Sequence, residues 1–381
     1  MDFSFTPEQL ALRAELVKFA RRELNEGLAD RDRSHAFSRE GWSRCAAMGI
    51  LGLPFPKEYG GSDADVLTTL LAMEALGYGC RDSGLIFAMN AQMWAVQTPI
   101  WNFGTDEQKR RYLPRLCAGQ SIGAHGMSEP DSGSDSSALA TTATRRGDHW
   151  ILKGTKTFVT NAPIADVFVV FATTDRSRGF MGLTGFVFEK GVKGLRIGNP
   201  IEKMGLRTSP MAELIFEDCE LPSDALLGRE GGGAEVFSSS MEWERGCLLA
   251  SYLGAMEHQL ETCVEYARTR RQFQRPIGKF QSVANKLVDM KVRLETSRLL
   301  LYRLAWLKTA GREAVTDAAI AKLYLSESWV QSCLDAIQVH GGYGYMSEFG
   351  FERDLRDSIA GRIYSGTSEI QRNIIATQLG L

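Results

Sequence analysis

The chain has 381 residues, of which 44% are hydrophobic and 24% are charged, and its formal net charge is −2. This composition is typical of a globular protein with about two to three domains. Because the charge is nearly balanced, it argues against nucleic acid or an anionic membrane surface as a partner.

Segments for targeting, membrane insertion and metal binding are not evident in the sequence. No apolar run approaches the roughly 20 residues that span a bilayer, and residues 1–5 lack the basic and then apolar order of a secretion signal. The seven cysteines form no C-x-x-C pair, and the five histidines form no H-x-x-x-H spacing. We therefore expect a cytoplasmic protein with reduced thiols, no metal and no membrane partner.

The pattern of apolar residues changes twice along the chain. Residues 7–119 place apolar side chains at helical spacing. Short β-rich runs separated by turn residues follow, at 150–152, 168–172, 184–188 and 214–216. Helical spacing returns after three consecutive glycines at 231–233 and continues to the C-terminus.

Segregated helical and β-rich regions predict an α+β protein, because an alternating βαβ sheet would mix the two patterns. We expect three domains: an N-terminal α-helical domain over 1–121, a middle β domain over 122–230, and a C-terminal α-helical domain over 231–381. A nicotinamide enzyme is disfavoured, since no G-x-G-x-x-G follows an N-terminal strand.

Small and hydroxyl residues are dense in residues 126–135 (GMSEPDSGSD). Such a loop lets backbone N–H groups and serine oxygens approach a flat polar heterocycle or a phosphate. Taken alone, such a segment is more often a plain surface loop. Residues 158–161 (FVTN) follow it and offer a ring and a hydroxyl.

Three further motifs lie in the helical C-terminal region: residues 268–273 (RTRRQF), the glycine pair 341–342, and residues 362–372 (RIYSGTSEIQR). An arginine pair on a helix is by itself more often a solvated face. In this order, however, and with the two earlier segments, the motifs resemble those of the acyl-CoA dehydrogenase family over essentially the whole chain. The resemblance implies that family's fold, with a helical domain, a β domain and a helical bundle, and FAD as cofactor.

The resemblance also implies which residues contact FAD. In the family, the loop and the FVTN-like strand lie against the flavin, and the C-terminal motifs hold the diphosphate and adenosine across a subunit interface. This implies an oligomer, which we expect to be a homotetramer. The residues matching these contacts are Met127, Ser128, Ser134, Phe158, Thr160, Arg270, Phe273, Gln338, Gly341, Gly342, Thr367 and Glu369.

The catalytic base is the main departure from the family pattern. Many members carry a glutamate at the position of Ser365, and a serine hydroxyl cannot remove an α-proton near pH 7. In members that act on isovaleryl or carrier-bound prolyl groups, the base comes from a helix at the position matching Glu244. We therefore expect Glu244 to be the base and the backbone N–H of Ser365, rather than its hydroxyl, to serve the reaction.

The alternative for Glu244 is a surface glutamate in the first turn of a helix that starts near Ser240, where the helix dipole favours it. Glu242 lies about 200° away around the helix and is not expected in the same pocket.

The resemblance implies an FAD-dependent dehydrogenase that desaturates an acyl thioester at Cα–Cβ. The motifs are most similar to members that act on carrier proteins, including prolyl-carrier-protein dehydrogenases of natural-product pathways. A short branched-chain acyl-CoA dehydrogenase and a non-catalytic flavin-binding paralogue are the alternatives. The electron acceptor would be dioxygen or another flavoprotein.

Overall fold

The computed structural model describes residues 4–136 and 138–381. Residues 1–3, on which the expectation about a secretion signal partly rests, lie outside the described part. None of the described helices is long and apolar enough to cross a membrane.

The first part of the described chain is helical. It contains α1 (Pro7–Glu23), α2 (Leu28–Ser34), α3 (Arg39–Ala47), α4 (Val66–Gly79), α5 (Ser83–Gln92), α6 (Thr98–Phe103) and α7 (Asp106–Cys117). Helix α1 begins after Thr6, whose hydroxyl accepts from the Gln9 N–H while the Gln9 side chain bonds back to Thr6, a capping box. Between α5 and α6, Met93–Gln97 forms a π-helical turn.

The middle part is a β-sheet. Its strands are β1 (Gly123–Gly126), β2 (Thr142–Arg146), β3 (His149–Thr160), β4 (Val167–Thr173), β5 (Leu183–Glu189), β6 (Leu195–Ile197), β7 (Met211–Pro222) and β8 (Leu226–Leu227). Their order in the sheet is β6-β7-β3-β2-β4-β5-β8, and β1 pairs with β4 in parallel.

An irregularity in this sheet shapes one end of β3. The register of β3 against β7 shifts between Lys156 and Val159, which is the signature of a bulge. At the bulge Phe158 has a positive φ of 55° and its side chain is 63% exposed. The bulge therefore turns an aromatic ring outward from a strand whose neighbouring residues, Thr157 and Val159, are buried.

The last part returns to helices: α8 (Gly233–Cys247), α9 (Ala250–Thr269), α10 (Gln281–Thr309), α11 (Val315–His340), α12 (Gly342–Tyr345), α13 (Phe351–Ala360) and α14 (Ser368–Gln378). A short hairpin of β9 (Arg271–Gln272) and β10 (Arg275–Pro276) separates α9 from α10.

The two helical parts pack tightly against each other through α4 and α9. A Cβ on Gly77 would lie 1.8 Å from the Ser251 carbonyl oxygen, and one on Gly254 would lie 1.9 Å from that of Glu74. Only glycine permits so close a backbone approach. One hydrophobic cluster accordingly runs from Leu16 on α1 to Phe351 on α13. The helices before and after a separate β-sheet confirm the predicted α+β architecture.

Candidate active site

Glu244 lies in the last turn of α8, which begins at Gly233 and ends at Cys247. The helix is therefore longer at its N-terminus than expected, and the interpretation of Glu244 as an exposed first-turn residue is wrong. Its side chain is buried, with a residue exposure of 7%. A carboxyl group in this place needs a partner or a function, because removing an ionised carboxylate from water is costly.

Ser365 supplies one partner. It lies in the loop between α13 and α14 with a positive φ of 51°. Its Oγ donates a hydrogen bond to Oε2 of Glu244 at 2.6 Å. Oε1 is also buried and has no hydrogen-bond partner among the described residues. The carboxyl group thus has one held oxygen and one free oxygen.

Burial raises the pKa of Glu244 to about 7. The hydrogen bond from Ser365 and the charge of Arg245 act in the opposite direction and lower the pKa, but burial outweighs them. A general base is most effective when its pKa is close to the working pH. Glu244 is therefore electrostatically suited to remove a proton near neutrality.

The loop beside Glu244 is held by two buried side chains. Lys322 on α11 donates to the Gly366 carbonyl at 2.7 Å. Gln371 on α14 donates to the carbonyls of Ser365 at 3.2 Å and Gly366 at 2.8 Å. The backbone N–H of Ser365 makes no hydrogen bond with a described residue. It remains available to an oxygen atom of a substrate.

Aromatic rings surround this part of α8. Tyr364 packs on Phe87 with centroids 4.8 Å apart, and its hydroxyl donates to that of Tyr252. On another side of α8, the rings of Trp94 and Trp243 are stacked with centroids 5.9 Å apart. Beyond this pair is a cavity of about 160 Å³. Tyr364 and Phe87 thus lie on the side of Glu244, and the two indoles line a cavity on another side of α8.

A buried ion pair holds the loop of residues 126–135 in place. Lys156 on β3 donates to Glu129 Oε1 at 2.7 Å and to the Met127 carbonyl at 3.1 Å. Glu129 also accepts from the backbone N–H groups of Ala140 and Thr141. Sequence reasoning missed Lys156 as a supporting residue, because only the fold brings it below a loop 27 residues earlier.

The loop and the bulged end of β3 lie side by side. The Thr157 N–H donates to the Ser128 carbonyl at 2.9 Å. Met127 is buried, Ser128 and Thr160 are half-buried, and Ser134 is exposed. The hydroxyls of Ser128 and Thr160 have no hydrogen-bond partner in the described part of the chain.

The other predicted cofactor residues lie at the ends of helices. Arg270 and Phe273 flank β9, and the Phe273 side chain is 88% exposed. Gln338, Gly341 and Gly342 form the exposed end of α11 and the start of α12, where the Arg270 guanidinium lies 5.9 Å from the Tyr343 ring. Thr367 caps α14, and Glu369 is exposed in its first turn.

The predicted residues therefore form three groups: Glu244 with Ser365, the loop with β3, and the exposed helix ends. No hydrogen bond or ring contact between described residues joins Phe273 to Ser128 or Phe158. The second group fits a flavin, because the outward ring of Phe158 and the free hydroxyl of Thr160 on β3 lie beside the free hydroxyl of Ser128 on the loop that Lys156 holds. At Gly341 and Gly342 a Cβ would meet no atom within 4 Å, which leaves the backbone open to a bound group.

Comparisons with known proteins identify the family of the chain. The N-terminal, middle and C-terminal domain models of acyl-CoA dehydrogenases match residues 6–120, 124–219 and 231–380. An L-prolyl-[peptidyl-carrier protein] dehydrogenase of Pseudomonas fluorescens is 44% identical over the full length of both chains.

Two solved structures are similar in shape to this chain, and both have the same TM-score. The prolyl acyl carrier protein oxidase AnaB is 50% identical with a TM-score of 0.98, covering 99% of this chain and 100% of that one. PigA with FAD and proline is 43% identical with a TM-score of 0.98, covering both chains fully. The three matching domain models and these relatives show that the chain belongs to the acyl-CoA dehydrogenase family.

Proposed function

We propose that the protein is an FAD-dependent dehydrogenase that desaturates an acyl thioester between Cα and Cβ, and that the acyl group is L-prolyl on a carrier protein in a natural-product pathway. Two relatives support this substrate: the Pseudomonas fluorescens dehydrogenase acts on L-prolyl-[peptidyl-carrier protein], and AnaB is a prolyl acyl carrier protein oxidase.

The observation that carries the proposal is the buried carboxyl group of Glu244. Its pKa of about 7 and its free Oε1 suit removal of the α-proton, which is acidified by the thioester carbonyl. The electron pair of the Cα–H bond forms the Cα=Cβ bond as a hydride leaves Cβ. The thioester stays intact, and Glu244 retains the proton.

The negative charge that develops on the thioester oxygen needs hydrogen-bond donors. The unpaired backbone N–H of Ser365 is one such donor, and Lys322 and Gln371 hold the loop that presents it. Bound FAD would supply the acceptor for the hydride that leaves Cβ. Met127, Ser128, Ser134, Phe158 and Thr160 would hold the flavin.

The remaining predicted cofactor residues would hold the rest of FAD. Arg270 offers a cation for the diphosphate, and the open backbone of Gly341 and Gly342 allows close approach. Phe273, Gln338, Thr367 and Glu369 complete this proposed set.

The aromatic surroundings of Glu244 support a small acyl group. Tyr364, next to Ser365, packs on Phe87 and bonds Tyr252, so a long flexible chain beside Glu244 has little room without displacing a ring. A five-membered prolyl ring is compact. A short-chain acyl-CoA is the second candidate, because a short-chain specific acyl-CoA dehydrogenase of Clostridium acetobutylicum is 39% identical over the full length of both chains.

The test compares carriers and acyl groups. The purified FAD-loaded protein is incubated with L-prolyl-carrier protein, L-prolyl-CoA and butyryl-CoA, and mass spectrometry follows the loss of two hydrogens. We expect desaturation of the carrier-bound prolyl group and wash-out of an α-deuterium into the solvent. Turnover of the CoA thioesters without any turnover of the carrier-bound substrate would overturn the proposal.

The reaction also needs an electron acceptor, and either dioxygen or an electron-transfer flavoprotein satisfies the chemistry. Comparing multiple turnovers in air with turnovers under argon, with and without an added electron-transfer flavoprotein, distinguishes the two. A cytoplasmic location belongs to the same proposal.

A homotetramer is the proposed assembly. Helix α10 exposes an apolar stripe at Val292, Leu299 and Trp306, with Val288 one turn earlier. Residues seven apart lie on one face of a helix, which is the spacing of helix-to-helix seams. Exposed Phe273, Tyr345 and Met346 near the proposed diphosphate site are further apolar groups that a second copy would cover.

A further inference from the structure

The hydroxyl of Ser365 contacts the proposed base directly, which its sequence position did not predict. It donates to Oε2 of Glu244 at 2.6 Å, although the two residues are 121 positions apart in the chain. A carboxylate with one oxygen held in this way cannot rotate freely about its last torsion. The remaining oxygen, Oε1, then has a defined direction.

The loop that carries Ser365 is itself fixed. Lys322 is fully buried, and its ammonium group bonds the Gly366 carbonyl rather than a carboxylate. Gln371 is fully buried as well and bonds the carbonyls of Ser365 and Gly366. These bonds hold Ser365 in a left-handed backbone conformation that a non-glycine residue adopts only when its surroundings impose it.

We propose that Ser365 is a positioning residue for the base: its hydroxyl holds Oε2 of Glu244 so that Oε1 faces the α-proton, and Lys322 and Gln371 hold the loop that carries the hydroxyl. This inference rests on the proposed function, in which Glu244 removes that proton. It assigns to the serine a role distinct from that of its backbone N–H.

The same bond affects when the base is ionised. A hydroxyl donating to the carboxylate favours the charged form, so the bond from Ser365 lowers the pKa of Glu244 against the larger effect of burial. Removing the hydroxyl raises this pKa, and a higher pH is then needed to ionise the base. Arg245 on α8 and Tyr364 in the loop interact electrostatically with Glu244. Tyr252 on α9 bonds Tyr364, and Lys322 on α11 lies close enough to Arg245 to interact with its charge.

The experiment uses three variants of Ser365 in the FAD-loaded enzyme. Ser365→Ala and Ser365→Gly both remove the hydroxyl, but glycine relaxes the left-handed backbone whereas alanine does not. Ser365→Cys keeps a weak donor. Anaerobic stopped-flow absorbance measures the rate of flavin reduction by substrate as a function of pH.

Both Ser365→Ala and Ser365→Gly should reduce flavin about 10- to 100-fold more slowly at neutral pH, the worth of a hydrogen bond to a charged group. The midpoint of the rising limb should move to higher pH in both, and the KM should change little. Ser365→Cys should lie between them and the parent. Ser368→Ala is the matched control, because Ser368 donates at 2.7 Å to a different carboxylate, Glu327.

A second readout does not depend on turnover. The infrared C=O band of a protonated carboxyl group, assigned by its loss in Glu244→Gln, should persist to higher pH in Ser365→Ala than in the parent. An unchanged pH midpoint in both readouts would overturn the inference and leave the proposed function intact. If Glu244→Gln reduced its flavin at the parent rate, the proposed function itself would fail.

Discussion

At the scale of single residues, the proposed chemistry depends on the environment of one carboxyl group. A glutamate surrounded by water has a pKa of 4.5 and is a weak base, whereas burial raises the pKa of Glu244 to about 7. Burial alone would leave the carboxyl protonated over a wider range, and Ser365 and Arg245 offset part of this effect. The carboxylate of Glu244 is therefore a stronger base than that of a glutamate surrounded by water, and it is still available in its ionised form near neutral pH.

Replacing the proposed base tests its role directly. Glu244→Gln should keep FAD and substrate binding, because the amide is nearly isosteric and still accepts a hydrogen bond from Ser365. Flavin reduction should slow by about 10²- to 10⁴-fold, the usual contribution of a general base. Stopped-flow bleaching measures the rate, and Glu242→Gln is the control, since Glu242 pairs with Lys308 instead. Equal losses in both variants would contradict the assignment of the base.

At the scale of elements, α8 separates two environments. Trp243 and Glu244 are neighbours in sequence and therefore point about 100° apart around the helix. Glu244 faces the Ser365 loop, whereas Trp243 stacks on Trp94 and lines the cavity of about 160 Å³. Trp94 lies in the π-helical turn, an irregularity that is frequent at functional sites. The two indoles thus close the cavity on the side of α8.

Removing one indole tests whether the cavity is separate from the site of Glu244. Trp243→Ala enlarges the cavity on the side of α8 away from Glu244, so kcat/KM for acyl thioesters of six to eight carbons should stay at the parent value. A chain that entered the enlarged cavity would gain about 0.8 kcal/mol per buried methylene, which corresponds to roughly a fourfold preference. Steady-state kinetics on an acyl series measures this. Such a gain in Trp243→Ala, with none in the control Trp101→Ala, would refute the separation.

At the scale of the whole molecule, α13 joins the parts of the fold. Asp357 on this helix accepts from the Leu206 N–H at 2.6 Å, which connects α13 to the loop before β7. Burial raises the pKa of Asp357 to about 7; the bond from Leu206 lowers the pKa, and the nearby Asp354 and Asp32 raise it further. The next loop after α13 carries Ser365.

Because Asp357 is protonated more readily in the folded state, the folded state loses stability as pH rises from about 4 to about 7, while the unfolded aspartate ionises. Asp357→Asn removes this effect and keeps an acceptor for Leu206. At pH 4 the Tm of the variant should be close to or equal to that of the parent. Between pH 4 and pH 7 the Tm of the variant should exceed that of the parent by a growing margin, and above pH 7 the margin should stay constant. Calorimetry at several pH values measures the difference. A pH-independent difference would contradict the buried-acid explanation.

The proposed tetramer is tested on the exposed stripe of α10. Leu299→Glu places a charge in the middle of the stripe, and burying an unpaired charge is costly, so the assembly should dissociate to smaller species. Sedimentation velocity measures the size distribution. Leu10→Glu on α1 is a control of similar exposure outside the stripe. A parent protein that sediments as a monomer would rule out the proposed assembly.

Local patterns in the sequence were enough to predict the order of helical and β-rich regions, the family and the candidate base. Helical and strand periodicity are properties of neighbouring residues, so the α+β architecture followed from residues close together in the chain. The motifs at 126–135, 268–273 and 362–372 identified the family because they occur in order over the whole length. Glu244 was selected by its match to family members with a base on this helix.

How the site is held became clear only from the packing of distant segments. The start of α8 at Gly233 moved Glu244 from a first turn to a last turn. The bond between Ser365 and Glu244 and the Lys156–Glu129 pair join residues 121 and 27 positions apart. No spacing in the sequence encodes such contacts, because burial and hydrogen bonding between distant segments arise only when the chain packs and water is excluded.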